Sequence, residues 1–335
     1  MVVRNIICRF AAALVGAVGL SSCLVNEKIT PVEKDGTIWY NLAPVKELPQ
    51  TKAVNEFDKS KTFGSYAYKG SDLFIDNEEI SYQTDKWVAK DGSKYYWPYS
   101  GALTFMSYAP YSLSSRAGFS CTEASGISLS NVTLPNTVGY YSESDDILVA
   151  DIARDLTKES HPMSGVPTVF KHKLSKVAVK ASMNNNLTGS DYVKITGVSL
   201  RYIYTKANYA QSGGWTSHSE LETYSPGSLD VNLTLEPQYV FEETLMIPQP
   251  TTLSGRGTGK DPKLVVSYQM KIDGYTSNKT AELKLYTDPS SPAAWEEGKV
   301  VTYYISISTK DEYIEFNGSL YAWDDAGNGD INMGL

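Results

Sequence analysis

Val193-Lys194-Ile195-Thr196-Gly197-Val198-Ser199-Leu200-Arg201-Tyr202 sets apolar, largely β-branched residues against polar ones at a period of two. Successive side chains point to opposite faces of a strand, so this stretch predicts a β-strand with one face packed inward and the other in water. The pattern recurs on both sides. Upstream it returns in Thr37–Leu42, Thr62–Tyr68, Leu103–Ala109 (stopped by Pro110) and Lys176–Ala181. Downstream it returns in Lys263–Tyr268, Ala281–Tyr286 and Val300–Ile307. Clusters of Gly, Asn, Asp, Ser and Pro separate these runs, which is the signature of an all-β sandwich or barrel. No long amphipathic helix is visible; Ile147–Asp155 and Ala293–Glu297 are the candidates for a turn or two of helix. No short-period repeat is present, which sets solenoids and propellers aside.

The N-terminus carries a different signal. Arg4 and Arg9 precede the apolar run from Phe10 to Leu20, which is too short for a bilayer span of roughly 20 apolar residues. Leu20-Ser21-Ser22-Cys23 closes it. A basic start, a short apolar core and small residues read as a processed signal peptide over residues 1–22. The last four residues also resemble the lipobox of bacterial lipoproteins, in which cleavage precedes the cysteine and its thiol takes a diacylglycerol. Cys23 is therefore the expected lipidation site and the first mature residue. Leu24 and Val25 follow, with no aspartate to hint at inner-membrane retention, which favours the outer membrane.

After signal removal about 310 residues remain, enough for two ordinary domains. A 41% hydrophobic content supports real cores, and 24 tyrosines lead the aromatic residues. The net charge of −8 offers no basic stripe for nucleic acid. Of three cysteines, Cys8 leaves with the signal and Cys23 is the lipid site, so Cys121 is left without an intramolecular disulfide partner. The polar, proline-punctuated stretch 155–167 is the best boundary, dividing residues 53–165 from 166–335 after a tether over residues 23–52.

Enzyme signatures are not found. His161, His172 and His218 are scattered, without metal-ligand spacing or a nucleophile elbow. His172 alternates with Phe170 and Leu174 and reads as a packed or hydrogen-bonded structural histidine. Adjacent carboxylates such as Asp145-Asp146, Glu242-Glu243, Glu296-Glu297 and Asp324-Asp325 point to opposite faces on a strand and do not converge as acid–base pairs. Gly255-Arg-Gly-Thr-Gly-Lys260 lacks phosphate-loop spacing and reads as a hairpin loop. No cofactor or metal site is expected.

Several segments, taken in order, resemble the fimbrillin family of Bacteroidetes, the shaft, anchor and tip subunits of type V pili. They are Thr51-Lys52-Ala53, Phe63–Tyr68, Tyr96-Trp97-Pro98, Leu103-Thr104-Phe105, Tyr108-Ala109-Pro110, Asp146–Ala150, Val169–Val177, Leu245–Gln249, Trp295–Gly298, Tyr303–Ile307 and Trp323. The resemblance implies two transthyretin-like Greek-key β-sandwich domains in tandem. It also implies export to the outer membrane as a lipoprotein, then removal of the first strand by a trypsin-like or gingipain-type protease. The groove so opened takes a strand from a neighbouring subunit by β-augmentation. Here the removable strand is Thr37–Leu42, with Ile38, Tyr40 and Leu42 facing one way, and the cut falls between Lys52 and Ala53. A lysine stands where the family commonly has arginine. At the other end, Ile331, Met333 and Leu335 alternate with Asn332 and Gly334, behind a Gly- and Asp-rich stretch. That tail is either a donor, together with Ile314–Tyr321, or the end of the last domain. Partners on this reading are other pilus subunits, the outer membrane, the processing protease and a host glycan or protein.

The competing reading is a surface glycan-binding or tip adhesin lipoprotein that does not polymerise. Tyr95, Tyr96, Trp97 and Tyr99 form one aromatic cluster and Tyr202, Tyr204, Tyr209 and Trp215 another. Such clusters stack on sugars, but in sandwiches they more often form cores and cross-strand pairs.

Overall fold

The computed structural model describes residues 36–42, 57–140, 145–160, 165–252, 255–286, 290–310 and 314–322. The described residues are all-β, and the one helical element among them is the 3-10 turn Tyr111–Ser115. The stretches favoured above for helical turns are extended instead. Residues Leu148–Ala150, Ala153–Leu156 and Ala294–Trp295 are strands. Apolar residues in runs this short satisfy a buried strand as well as a helix turn, so periodicity does not separate the two.

The first sheet has nine strands. It runs from Val166–Thr168 through Tyr40–Leu42, Lys86–Ala89, Asp72–Gln83, Phe63–Lys69, Leu103–Ala109 and Leu148–Ala150 to Phe170–His172, with Ala153–Leu156 also on Leu103–Ala109. Alternation predicts that Leu103–Ala109 wets one face, yet all of it is buried. Leu103, Phe105 and Ala109 pack beside Phe63 and Phe170, whereas Met106 and Tyr108 pack beside Ile127, Leu129 and Tyr209. A strand covered on both faces has no solvent side for its polar residues, so Ser107 donates a hydrogen bond to Ser65 at 3.0 Å within the sheet. Gly64 lets the Tyr108 ring lie flat on the sheet: a Cβ there would sit 2.1 Å from the ring.

A seven-stranded sheet is built on the long strand Tyr192–Ala210. Lys263–Ile272 pairs with its first half and Gly126–Thr133 with its second, so one strand serves both parts of the molecule. Val193 and Ile195 are buried, then Val198 and Leu200; the inward parity changes at a register shift between Ile195 and Gly197. This is a β-bulge at glycine, and it keeps the apolar residues inward as the strand twists. A four-stranded sheet, Gln238–Met246, Ser175–Met183, Lys299–Ile307 and Ile314–Ala322, closes over the first half of that strand. Val177, Val179, Val301 and Tyr303 meet Ile195, Leu200, Val266 and Tyr268 in the core between the two. Each such side chain contributes about 1.5–3 kcal/mol by leaving water.

Val166–Thr168 and Phe170–His172, which follow residues 155–167 or overlap their end, are members of the first sheet. Across the molecule, Gln211 accepts a hydrogen bond from Ile127 N at 3.0 Å and donates to Ala150 O at 2.8 Å. Trp215 Nε1 donates to Lys173 O at 2.6 Å. Among the described residues no helix is long and apolar enough to cross a membrane.

Candidate functional site

Residues 36–42 are seated inside the first sheet. Tyr40, Asn41 and Leu42 run parallel to Val166, Pro167 and Thr168, while Tyr40 pairs antiparallel with Trp87 on the other side. Before the strand proper, Thr37 bridges to Tyr96, Ile38 N donates to Tyr95 O at 2.8 Å, and Gly36 O accepts from Trp97 N at 3.0 Å. Trp39 O accepts from Val166 N at 2.7 Å.

The side chains follow the strand alternation. Ile38 and Tyr40 point inward, at 5% and 2% exposure. Tyr40 meets the edges of Phe63 and Phe105 at 5.4 and 6.0 Å between ring centroids. Around them Phe57 stacks on Phe170 at 5.1 Å and crosses Trp87 at 5.4 Å. Leu42 is half-buried against the same cluster. Burial drives the Tyr40 phenol far above its ordinary pKa, and its hydroxyl lies toward Ser65 without completing a hydrogen bond. Trp39 points the other way, into a notch at Gly165. That glycine has φ +70°, and a Cβ on it would come within 2.7 Å of the indole. Lys86 Nζ lies 5.0 Å from the centre of the same indole ring.

Taking residues 36–42 away would leave Lys86–Ala89 and Val166–Thr168 each with an unpaired edge, above a floor of Phe63, Trp87, Phe105 and Phe170. Backbone donors and acceptors bordering an apolar trough are what a β-strand from another chain recognises. Val166 N donates to Trp39 O, so Pro167, which has no N–H, faces the other edge of that strand and costs this pairing no donor.

Of the residues singled out in the sequence, Ile38, Tyr40 and Leu42 are brought together with this trough. Cys23, Lys52, Ala53 and the tail after Ala322 lie outside the described residues, as does His161. Ile314–Ala322 pairs antiparallel with Lys299–Ile307 of its own chain, with Phe316 stacked on Tyr303 at 5.4 Å.

The aromatic clusters are mostly interior. Trp97 packs on Phe105, and Tyr95 donates to Glu78 Oε2 at 2.6 Å, a bond that raises its pKa to about 12. Tyr96 and Tyr99 alone of that group are exposed. In the second cluster Tyr204 and Tyr209 are buried, and the Trp215 indole is spent on Lys173. His172 Nδ1 lies 2.6 Å from Asp146 Oδ2, and His218 Nε2 lies 2.7 Å from Pro248 O. Asp145 pairs with Arg116 at 3.5 Å and Glu297 with Lys173 at 3.1 Å, so these carboxylates serve separate ion pairs.

In the glycine-rich loop, Arg256 is buried, and among the described residues it has no carboxylate partner. It donates to Tyr202 O at 3.1 Å, Thr252 O at 2.9 Å, Gln249 Oε1 at 2.9 Å and Pro250 O at 2.6 Å, and lies over Tyr204 at 4.5 Å. Burial lowers its pKa. The sequence signal missed at the trough is Gly165, the last residue of a Met-Ser-Gly run before Val166. A glycine two residues before a proline reads as loop punctuation, and nothing local tells of the indole it receives.

The fimbrillin-like family model matches residues 51–323. A fimbrial protein of Bacteroides vulgatus shares the fold at TM-score 0.62 and 19% identity, covering 86% of this chain and 100% of its own. A candidate cell-adhesion protein of Bacteroides uniformis does so at TM-score 0.52 and 16% identity, covering 88% and 99%. Another from Bacteroides ovatus does so at 0.51 and 14%, covering 86% and 96%. No curated protein sequence matches the chain.

Proposed function

The chain belongs to the fimbrillin-like family, and from that premise we propose that it is a structural subunit of a type V pilus on the cell surface, serving adhesion. It is exported as a lipoprotein acylated on Cys23, cut between Lys52 and Ala53, and assembled by strand exchange. The observation that carries this reading is the seating of residues 36–42. They are paired on both edges and buried through Ile38 and Tyr40, yet joined to the body through a stretch containing Lys52. A strand so placed completes the sheet in the precursor, and its loss creates a vacancy of defined shape.

The donor has a matching pattern. Ile331, Met333 and Leu335 repeat the spacing of Ile38, Tyr40 and Leu42, so the tail of a second copy presents knobs at the same intervals along a strand. The role is mechanical rather than catalytic: main-chain pairing supplies affinity, and the alternate side chains supply register.

The test uses purified protein starting at residue 24. Trypsin should remove the N-terminal segment near Lys52 and produce ladders that resist mild SDS. Deleting residues 331–335 should leave the cut intact and abolish the ladders. Monomer alone after complete cleavage of the full chain contradicts the proposal.

A further inference from the structure

We infer that cleavage does not by itself open the groove: the severed N-terminal piece stays seated as a non-covalent plug. The inference rests on the strand-exchange reading and concerns its control. Each contact described for residues 36–42 is made with residues 57 and beyond, across space rather than along the chain. The backbone bonds go to Tyr95, Trp97 and Val166. The inward knobs Ile38 and Tyr40 meet the aromatic floor, and Trp39 sits in the Gly165 notch beside Lys86. Hydrolysis adds water across the Lys52–Ala53 amide, leaving a carboxylate on Lys52 and an ammonium on Ala53. Both new ends lie ten or more residues beyond Leu42, so none of the atoms in the contacts described for residues 36–42 changes its chemistry.

The consequence is a two-step release. Cutting removes the covalent tie, which lowers the effective concentration of the segment at its groove. Contacts that hold both faces and both edges of the strand still set a slow off-rate. A cut subunit therefore remains attached, through the plug, to the lipid on Cys23. Its aromatic floor and two strand edges stay covered, which matters because open apolar edges pair indiscriminately. The plug leaves when a competing strand takes over its positions one at a time.

The experiment separates this inference from the natural processing step. Residues 46–51 of the chain starting at residue 24 are replaced by the recognition site of an unrelated sequence-specific protease, so that the nick forms whatever the fate of Lys52. After complete cutting, gel filtration under native conditions and mass spectrometry of the body peak report whether the N-terminal piece travels with it. Co-elution is expected, with the Tyr40→Ala piece dissociating roughly a hundredfold faster. Ile38→Ala serves in its place should Tyr40→Ala fail to fold before the cut. Loss of the wild-type piece during the column run overturns the inference. A synthetic Asp330–Leu335 peptide is added to the retained complex as a further arm. Displacement by it supports both the plug and strand exchange; retention in its presence supports the plug and counts against this tail as the donor.

Discussion

Tyr40→Ala in the uncut chain measures how far residues 36–42 belong to the core. The side chain is 2% exposed and meets two aromatic edges at 5.4 and 6.0 Å. Truncating a buried aromatic residue to alanine costs about 3–5 kcal/mol, including the cavity it leaves. Edge-to-face pairs hold about 0.5–1.5 kcal/mol each beyond area, already part of that range. One term opposes the loss. The phenolic oxygen completes no hydrogen bond, and an unsatisfied buried hydroxyl costs roughly 1–3 kcal/mol. The net expectation is a loss of about 3 kcal/mol for Tyr40→Ala and no loss, or a gain, for Tyr40→Phe. Urea unfolding followed by tryptophan fluorescence reads both, since Trp87 and Trp97 lie in the same core. A Tyr40→Ala cost under about 1 kcal/mol would refute the reasoning, because a strand that matters so little leaves no groove worth filling.

Three further outcomes follow from the same geometry. Gly64→Ala should cost about 3 kcal/mol or more in thermal or urea unfolding, because its Cβ would fall 2.1 Å from the Tyr108 ring and neither strand has room to shift. Arg256→Lys should cost about 2 kcal/mol in the same assay: one ammonium cannot reach the four acceptors that the planar guanidinium serves, and the acceptors left over are buried or part-buried. Alkaline unfolding should be cooperative. Burial raises Tyr66, Tyr68 and Tyr140 from 10.0 to about 12, and the bond to Glu78 does the same for Tyr95. Folded values above the unfolded one mean that this stability is complete below pH 10 and lost as the pH rises through 12. Tyrosinate absorbance should therefore rise above pH 10 and together with the loss of β-sheet circular dichroism; ionisation of these phenols near pH 10 with the sheet intact would contradict the shifts.

The all-β class is legible because Val, Ile, Tyr and Phe alternate over short runs, and Val193–Tyr202 does lie in a strand. The bulge at Gly197 is written in the sequence as a change of parity, from Val193 and Ile195 to Val198 and Leu200. Gly214–Tyr224 escapes the same reading. Trp215, His218, Leu221 and Tyr224 turn inward at every third residue, because Ser217 and Glu220 adopt φ of 55° and 58° and each displaces the pleat. A period of three matches no regular strand, so the residues pass for loop and Trp215 for a surface aromatic. The length of Tyr192–Ala210 is hidden likewise by Tyr202, a tyrosine at φ 63° beside a register shift. At the candidate site, the apolar side of Ile38, Tyr40 and Leu42 is readable from alternation. The neighbours that receive them are not, because Trp87, Tyr95 and Val166 come from three distant parts of the chain. Burial on both faces of Leu103–Ala109 is equally a property of the assembled layers rather than of the run itself.

The account's central claim is that the assembled subunit has given up its own first strand. Mass spectrometry of the N-terminus, applied to SDS-resistant polymers sheared from the cell surface, tests it most directly. The account predicts chains beginning at Ala53, with no Thr37–Leu42 peptide joined to them. Polymers whose subunits still carry that segment in covalent continuity with Phe57 would contradict it.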